Sequence, residues 1–264
     1  MRNTLAIARK ELNVYFTTPM AYVMFCCTTV ISSYMFIAFI QQYTRYSIYA
    51  MKAPQMIDPT RLNLTDLVMA PLVGNIGIIF VFVMPFLTMR LLAEEKRQHT
   101  MELLMTTPVR PTEIVLGKFL ACFGVVALTV GFTLLYPAML QLYGGSAGAG
   151  APVEWRTVFS GYLGLLGWGA ATVAIGLFVS SLTENQAVAA LVTFAVLLLT
   201  WLAGLVGHGA GEALQQVSND LSSITHLRGM AGGEIALKDL LYFASLTVLG
   251  LFLTQRAIES QRWS

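Results

Sequence analysis

Few side chains in this sequence stand where they could make or break a bond. A nucleophilic serine needs a histidine base within hydrogen-bond reach, and Ser160-Gly161 is the pair that invites that reading. The G-x-S-G pattern is incomplete because position 158 is Val158, and His208 and His226 lie outside the apolar runs. A phosphate cradle needs G-x-x-x-x-G-K-[ST], and Gly117-Lys118 has neither the upstream glycine nor the hydroxyl successor. Cys26, Cys27 and Cys122 fall within apolar runs with no metal-ligand spacing and no disulfide framework, and they read as small hydrophobes. What remains is charge. The stretch EEKRQHTMELLMTTPVRPTEIVLGK runs from Glu94 to Lys118; between Arg90 and Lys118 lie five of the sixteen Lys and Arg, together with Glu94, Glu95, Glu102 and Glu113. Long apolar runs flank it on both sides. The chemistry open to such a segment is docking and force transfer, not catalysis.

The elements that position it are hydrophobic. The chain has 264 residues, of which 56% are hydrophobic and 11% charged, and its mean hydropathy is +0.68. Soluble domains carry about 25% charged residues. Long continuous apolar runs, rather than alternating ones, favour helices of roughly 20 residues crossing a bilayer. Six such runs are expected as spans: Met20–Ile40, Leu67–Met89, Ile114–Leu142, Val158–Val179, Ala187–Gly207 and Leu240–Thr254. The last is short, with Lys238 and Asp239 expected to snorkel at its start. The fold class is therefore an all-α integral membrane protein, a single domain over 1–264.

Six spans put both termini on one side. That side carries ten of the Lys and Arg and the opposite side six, which predicts cytoplasmic termini and a cytoplasmic loop at 90–113. The formal net charge of +2 is small and scattered, so no nucleic-acid partner is expected. Residues 1–19 are too polar for the apolar core of a cleavable signal peptide.

Along the chain, Leu5, Ala8, Leu12 and Tyr15 recur at helical spacing before the first span. This predicts an amphipathic helix ended by Thr17-Thr18-Pro19, lying in the membrane interface or packed on protein. Tyr43, Tyr46 and Tyr49 have interface spacing, and Pro54 and Pro59 break the segment that follows. Residues 143–156 contain a glycine-rich turn with no evident chemistry. The fourth span is rich in Gly and Ala, which suits close helix packing within a subunit or at a dimer seam. SSLTENQ makes a tight turn after it, expected to be solvated. The loop at 208–237 is compatible with helix between Glu212 and Gly229.

The charged loop has its own pattern. The second span is expected to continue as helix through Leu92 and Ala93 into water, leaving Glu94 to Arg97 solvated. Thr100 is a candidate N-cap for a second, short helix, with Glu102 in its first turn where a carboxylate suits the helix dipole. Met101, Leu104 and Met105 then share one face, fit for a partner groove or for lying flat on the bilayer. Thr106, Thr107 and Pro108 end it, and Pro111 starts the third span.

At these residues the chain resembles the membrane subunits of ABC type-2, export-type transporters, through the pattern EEK, Thr100, ELL, Pro108 and the terminal GK. The likeness extends to KEL, YF and AYV within Lys10–Val23, and to HLRGMAGGEIALKDLLYFASLTVLGLFLT at His226–Thr254 followed by ESQRW, which is similar to the gliding-motility-type branch. Spans four and five match mainly by hydropathy. One departure is Gln98-His99, where many relatives have a small residue or glycine. The resemblance implies six transmembrane helices forming half of a dimeric domain, with a second copy or a paralogue. The N-terminal helix would be the interfacial connecting helix. Thr100–Met105 would be the cytoplasmic coupling helix docking into an ABC ATP-binding subunit, flanked by Glu94, Glu95 and Arg97. The residues expected at that dock are thus Glu94, Glu95, Arg97, Thr100, Met101, Glu102, Leu104 and Met105. ATP and Mg would be held by the partner, with no cofactor in this chain, which is not expected to be an enzyme. Residues 208–237 would cap the pathway from outside.

The location implied is the bacterial inner membrane, with lipid around the spans and room for an auxiliary envelope subunit. One alternative is a membrane component of an ATP-driven envelope or motility machine that exports nothing. Another is an ion-gradient secondary transporter, which would need ionisable sites near the midplane. Apart from Lys118 near the start of the third, the first five spans carry no acidic or basic residue. Cargo stays open between lipid-like, polysaccharide and peptide classes.

Overall fold

In a computed structural model, which describes residues 2–52, 63–100, 109–144, 153–206 and 212–261, the chain is helical almost throughout and no strand occurs among the described residues. Helix α1 spans Arg2–Thr17 and α2 Pro19–Lys52; a π-helical turn at Thr65–Met69 leads into α3, Ala70–Thr88; α4 is Ala93–Arg97 and α5 Pro111–Thr133. Then follow α6 (Leu135–Gly144), α7 (Trp155–Leu182), α8 (Gln186–Val206), α9 (Glu212–Leu221), α10 (Ser223–Ala231) and α11 (Leu237–Gln261). Among the described residues, six helical stretches are long and apolar enough to cross a membrane, including Pro111–Tyr143, which joins α5 and α6. The expected six-span architecture is the observed one.

The boundaries differ from the hydropathy limits for physical reasons. Helix α2 has 34 residues, about 51 Å at 1.5 Å per residue, against a hydrocarbon core of about 30 Å. Hydropathy marks where the chain leaves the bilayer, not where the helix stops, so Tyr43, Tyr46 and Tyr49 lie on its continuation. The third span is not one helix. Pro137 has no N–H to give to the carbonyl four residues back, and the helix breaks at Leu134 between α5 and α6. The freed Thr133 carbonyl instead accepts a hydrogen bond from the Tyr162 hydroxyl at 2.7 Å. Tyr162→Phe should therefore cost about 1–2 kcal/mol of stability, and much less in a Pro137→Ala background, where residue 137 regains its N–H. Equal costs in both backgrounds, measured by denaturation in detergent, would reject this account of the break.

Helix α7 is the central post. Its small residues are spent inside the subunit, which decides between the two roles left open for them. A Cβ on Gly169 would meet Val126 of α5 at 2.6 Å, and one on Gly176 would meet Thr88 of α3 at 2.2 Å. Gly167 faces Phe243 of α11, and Gly250 of α11 faces the backbone of Ala174 in return. Trp168, fully buried, donates its indole N–H to the Gly77 carbonyl at 3.1 Å and packs against Trp201 and Phe243. Large apolar side chains on α2, α8 and α11, such as Ile37, Leu199 and Val248, point outward, as spans in lipid require.

The segment between spans five and six folds as two short helices, α9 and α10, separated at Ser222. Neither is long enough to cross. Asp239 does not snorkel: it is 3% exposed, and its Oδ1 lies 2.6 Å from Nδ1 of His226 on α10. Nε2 of His226 faces the Asp220 carbonyl at 3.1 Å, and Tyr242 stacks on the ring. The first residues of α11 thus hold α10 in place instead of meeting water.

Candidate functional site

The charged segment is built onto three helices. Helix α1 forms because its sequence has no internal Gly or Pro and is rich in Ala, Leu, Arg, Lys and Glu. It stops where the Thr17 and Thr18 hydroxyls bond back to the Asn13 and Val14 carbonyls, just before Pro19. One face lies along α5. Asn3 Nδ2 donates to Glu113 Oε2 at 3.3 Å, Ile7 covers Gly117, and the Tyr15 hydroxyl donates to the Leu87 carbonyl at 3.1 Å. Of the predicted stripe, Ala8 and Tyr15 are buried and Leu12 is half-buried, but Leu5 is 66% exposed. The packed face is rotated toward Thr4, Ile7 and Glu11, because a polar contact at Glu11 sets the register.

That contact is with Lys118. Its side chain is 2% exposed, and Nζ donates to Glu11 Oε1 at 3.1 Å and to Glu95 Oε1 at 2.8 Å. Lys118 stands in the second turn of α5, Glu11 on α1 and Glu95 on α4, so one buried ammonium joins three elements. A lysine is tolerated at such depth only when its charge is met. The node holds two carboxylates for one cation. The second oxygen of Glu95 is buried and accepts no hydrogen bond in the structure.

The path from α3 into this node is bent. Leu91, Leu92 and Ala93 are buried, so the second span does not run straight into water as the sequence pattern implied. It kinks over Met89–Leu92, and α4 begins as a separate five-residue helix. Ser180, near the end of α7, holds the kink. Its Oγ accepts the N–H groups of Leu92 (3.1 Å) and Ala93 (3.0 Å) and donates to the Met89 carbonyl (3.0 Å). A side chain distant in sequence thus does the work of an N-cap. The Lys96 ammonium donates to the Ser181 carbonyl, and Arg90 holds Glu94 through two hydrogen bonds of 2.7 and 3.2 Å.

Glu94, Glu95 and Lys96 are therefore half-buried and paired, whereas Arg97 is exposed. Arg97 lines a groove of about 970 Å³ between α3 and α8, with Phe82, Phe86 and Phe194 on its walls and Glu184 at the same end. Helix α4 ends at Gln98, and His99 takes a positive φ of 53°. Glycine adopts that conformation most readily, so His99 holds a backbone geometry that a non-glycine residue takes at a cost. Thr100 is exposed and its hydroxyl donates to the Glu95 carbonyl at 3.2 Å. Met101, Glu102, Leu104 and Met105 lie outside the described residues. Lys118, Glu11 and Ser180 were not singled out by sequence; Lys118 alone left a signal, as the one cation inside an apolar range.

Six apolar spans, a kinked charged connection and helices packed inside one subunit define a polytopic membrane component, with no ensemble of catalytic groups and no metal-binding cluster among the described residues. More particularly, the chain belongs to the ABC-2 family transporter proteins, whose family model matches residues 29–227. Among curated proteins none matches the chain. The family is a membrane transport component, not itself an ATPase, and implies an ABC ATP-binding partner in general.

Proposed function

We propose that this chain is the permease subunit of an ATP-driven ABC exporter of the bacterial inner membrane, working as a pair with a second copy or a paralogue. Both termini and the 90–113 loop face the cytoplasm in this reading, with ATP and Mg held by the partner. The observation that carries it is the junction on Lys118. The interfacial helix α1, the start of the coupling segment and the third span meet there, immediately before residues 101–105. A nucleotide-driven shift of Thr100–Met105 would reach α1 through Glu95 and Lys118, and α7 through Ser180.

Replacing Met101, Leu104 and Met105 together with aspartate is expected to release the ATP-binding subunit, since charge on an apolar docking face is costly to bury. Co-purification from native membranes and ATPase assays provide the test. If the triple variant keeps its partner and its stimulated ATPase activity, docking lies elsewhere. If no ATP-binding subunit accompanies even the unaltered chain, the exporter reading itself fails.

A further inference from the structure

A second site lies at the other end of the bundle, where α3 begins. A cavity of about 450 Å³ is bounded by the π-helical turn, α3, Trp201 of α8 and the short helix α10. Asp66 and Arg228 both line it and both are exposed, yet neither makes an ion pair among the described residues. Two opposite charges therefore face one cavity without neutralising each other. The Glu154 carboxylate stands near Asp66 and is already engaged by Asn63 (2.9 Å) and Thr157 (3.2 Å), which leaves Asp66 as the free acid in an acidic corner.

The rest of the wall follows the same logic. Asn75 gives its amide N–H to the Pro71 carbonyl at 2.8 Å, leaving its amide oxygen as an acceptor. Trp201, 4% exposed, supplies the aromatic part of the wall. A Cβ added at Gly74 would meet nothing within 4 Å, so the cavity reaches the α3 backbone at that point. The lining residues from Asp66 to Ile78 are spread along about 18 Å of helix. Charge sits at the mouth and an aromatic and aliphatic wall lies deeper. The π-helical turn that presents Asp66 is a rare local geometry, found often at functional sites.

We propose that this cavity binds an amphiphile with a zwitterionic head, its ammonium at Asp66 and its phosphate at Arg228, with the less polar part toward Trp201 and Ile78. Arginine pairs well with a planar or tetrahedral anion, and a carboxylate beside a second one favours a cation. A ligand bearing both signs satisfies both charges at once, where a purely anionic lipid leaves Asp66 opposed. The head group alone and the membrane phospholipid carrying it share this chemistry. The inference does not depend on the ATP-binding partner.

The test uses the full chain in nanodiscs made of equal amounts of phosphatidylethanolamine and phosphatidylglycerol. Native mass spectrometry counts the lipid retained, and Trp fluorescence follows added phosphoethanolamine. Preferential retention of phosphatidylethanolamine is expected, reduced about tenfold in Arg228→Gln and in Asp66→Asn, each of which removes one charge-assisted bond. Gly74→Leu, which keeps both charges and fills the cavity, should abolish retention with an unchanged thermal unfolding midpoint. Competition by soluble phosphoethanolamine would show that the head group suffices, and its failure that the lipid is required; either supports the site. Equal retention of the two lipids by the unaltered chain, or undiminished retention in the folded Gly74→Leu variant, would overturn it.

Discussion

Lys118→Met is expected to destabilise the chain by about 3–5 kcal/mol, the usual cost of removing one partner from a buried ion pair. The variant leaves Glu11 and Glu95 facing each other without a cation, at positions where water reaches them only in part. Glu95→Gln alone should cost less, because Lys118 keeps Glu11 and one oxygen of Glu95 is already without a partner. The triple variant Glu11→Gln, Glu95→Gln, Lys118→Met should recover most of the loss, since no uncompensated charge remains. Denaturant titration in nanodiscs, run as a mutant cycle, measures the coupling. A Lys118→Met chain as stable as the unaltered one would show that the node holds nothing together. In the proposed complex, the same variant is expected to bind the ATP-binding subunit yet respond weakly to it, because α1 is no longer tied to α4.

The second large effect is expected at Ser180. Its hydroxyl serves the Leu92 and Ala93 N–H groups and the Met89 carbonyl, all at the kink. Ser180→Ala removes one oxygen and strands three backbone groups in a region where Leu91, Leu92 and Ala93 are buried. Each unmet buried group costs about 1–3 kcal/mol, and local relaxation makes the sum smaller than three such terms, so about 2–4 kcal/mol is expected. Hydrogen exchange at Leu92 and Ala93 should rise well before global unfolding does. Unchanged exchange at those two amides would mean that the kink is held by packing alone.

The spans were legible because hydropathy is a local property, readable wherever a run of twenty residues lacks charge. The two short helices at Glu212–Leu221 and Ser223–Ala231 fall where the sequence was helix-compatible, and the break at Ser222 between them was not foreseen. What escaped the sequence is what depends on distant partners. Lys118 meets Glu95 23 positions away and Glu11 107 positions away, and Ser180 meets Leu92 across 88. No spacing rule links such residues, so the charges from Glu94 to Lys96 read as solvated. Asp239 misled for the same reason, since its histidine comes from another helix. Pro137 was visible, but an apolar run continues on both sides of it, and apolar composition does not record a missing N–H. His99 is a further case, because its positive φ is a backbone conformation that the residue type does not announce.

The glycine contacts of α7 bear on how a small push could travel. At one end Gly176 lies against Thr88 beside Ser180; at the other, Gly164 lies against Leu227 and Met230, and Gly161 against Ala231. From Gly161 to Gly176 the helix rises about 23 Å, within a helix of 28 residues. Where backbone meets side chain with no intervening methylenes, little soft material remains to absorb a displacement. Helix α7 is then a stiff rod set between the kink at Met89–Leu92 and the short helix α10. A shift of a fraction of an ångström at Ser180 would arrive at α10 nearly undiminished, without any relay of rotamer changes along the way.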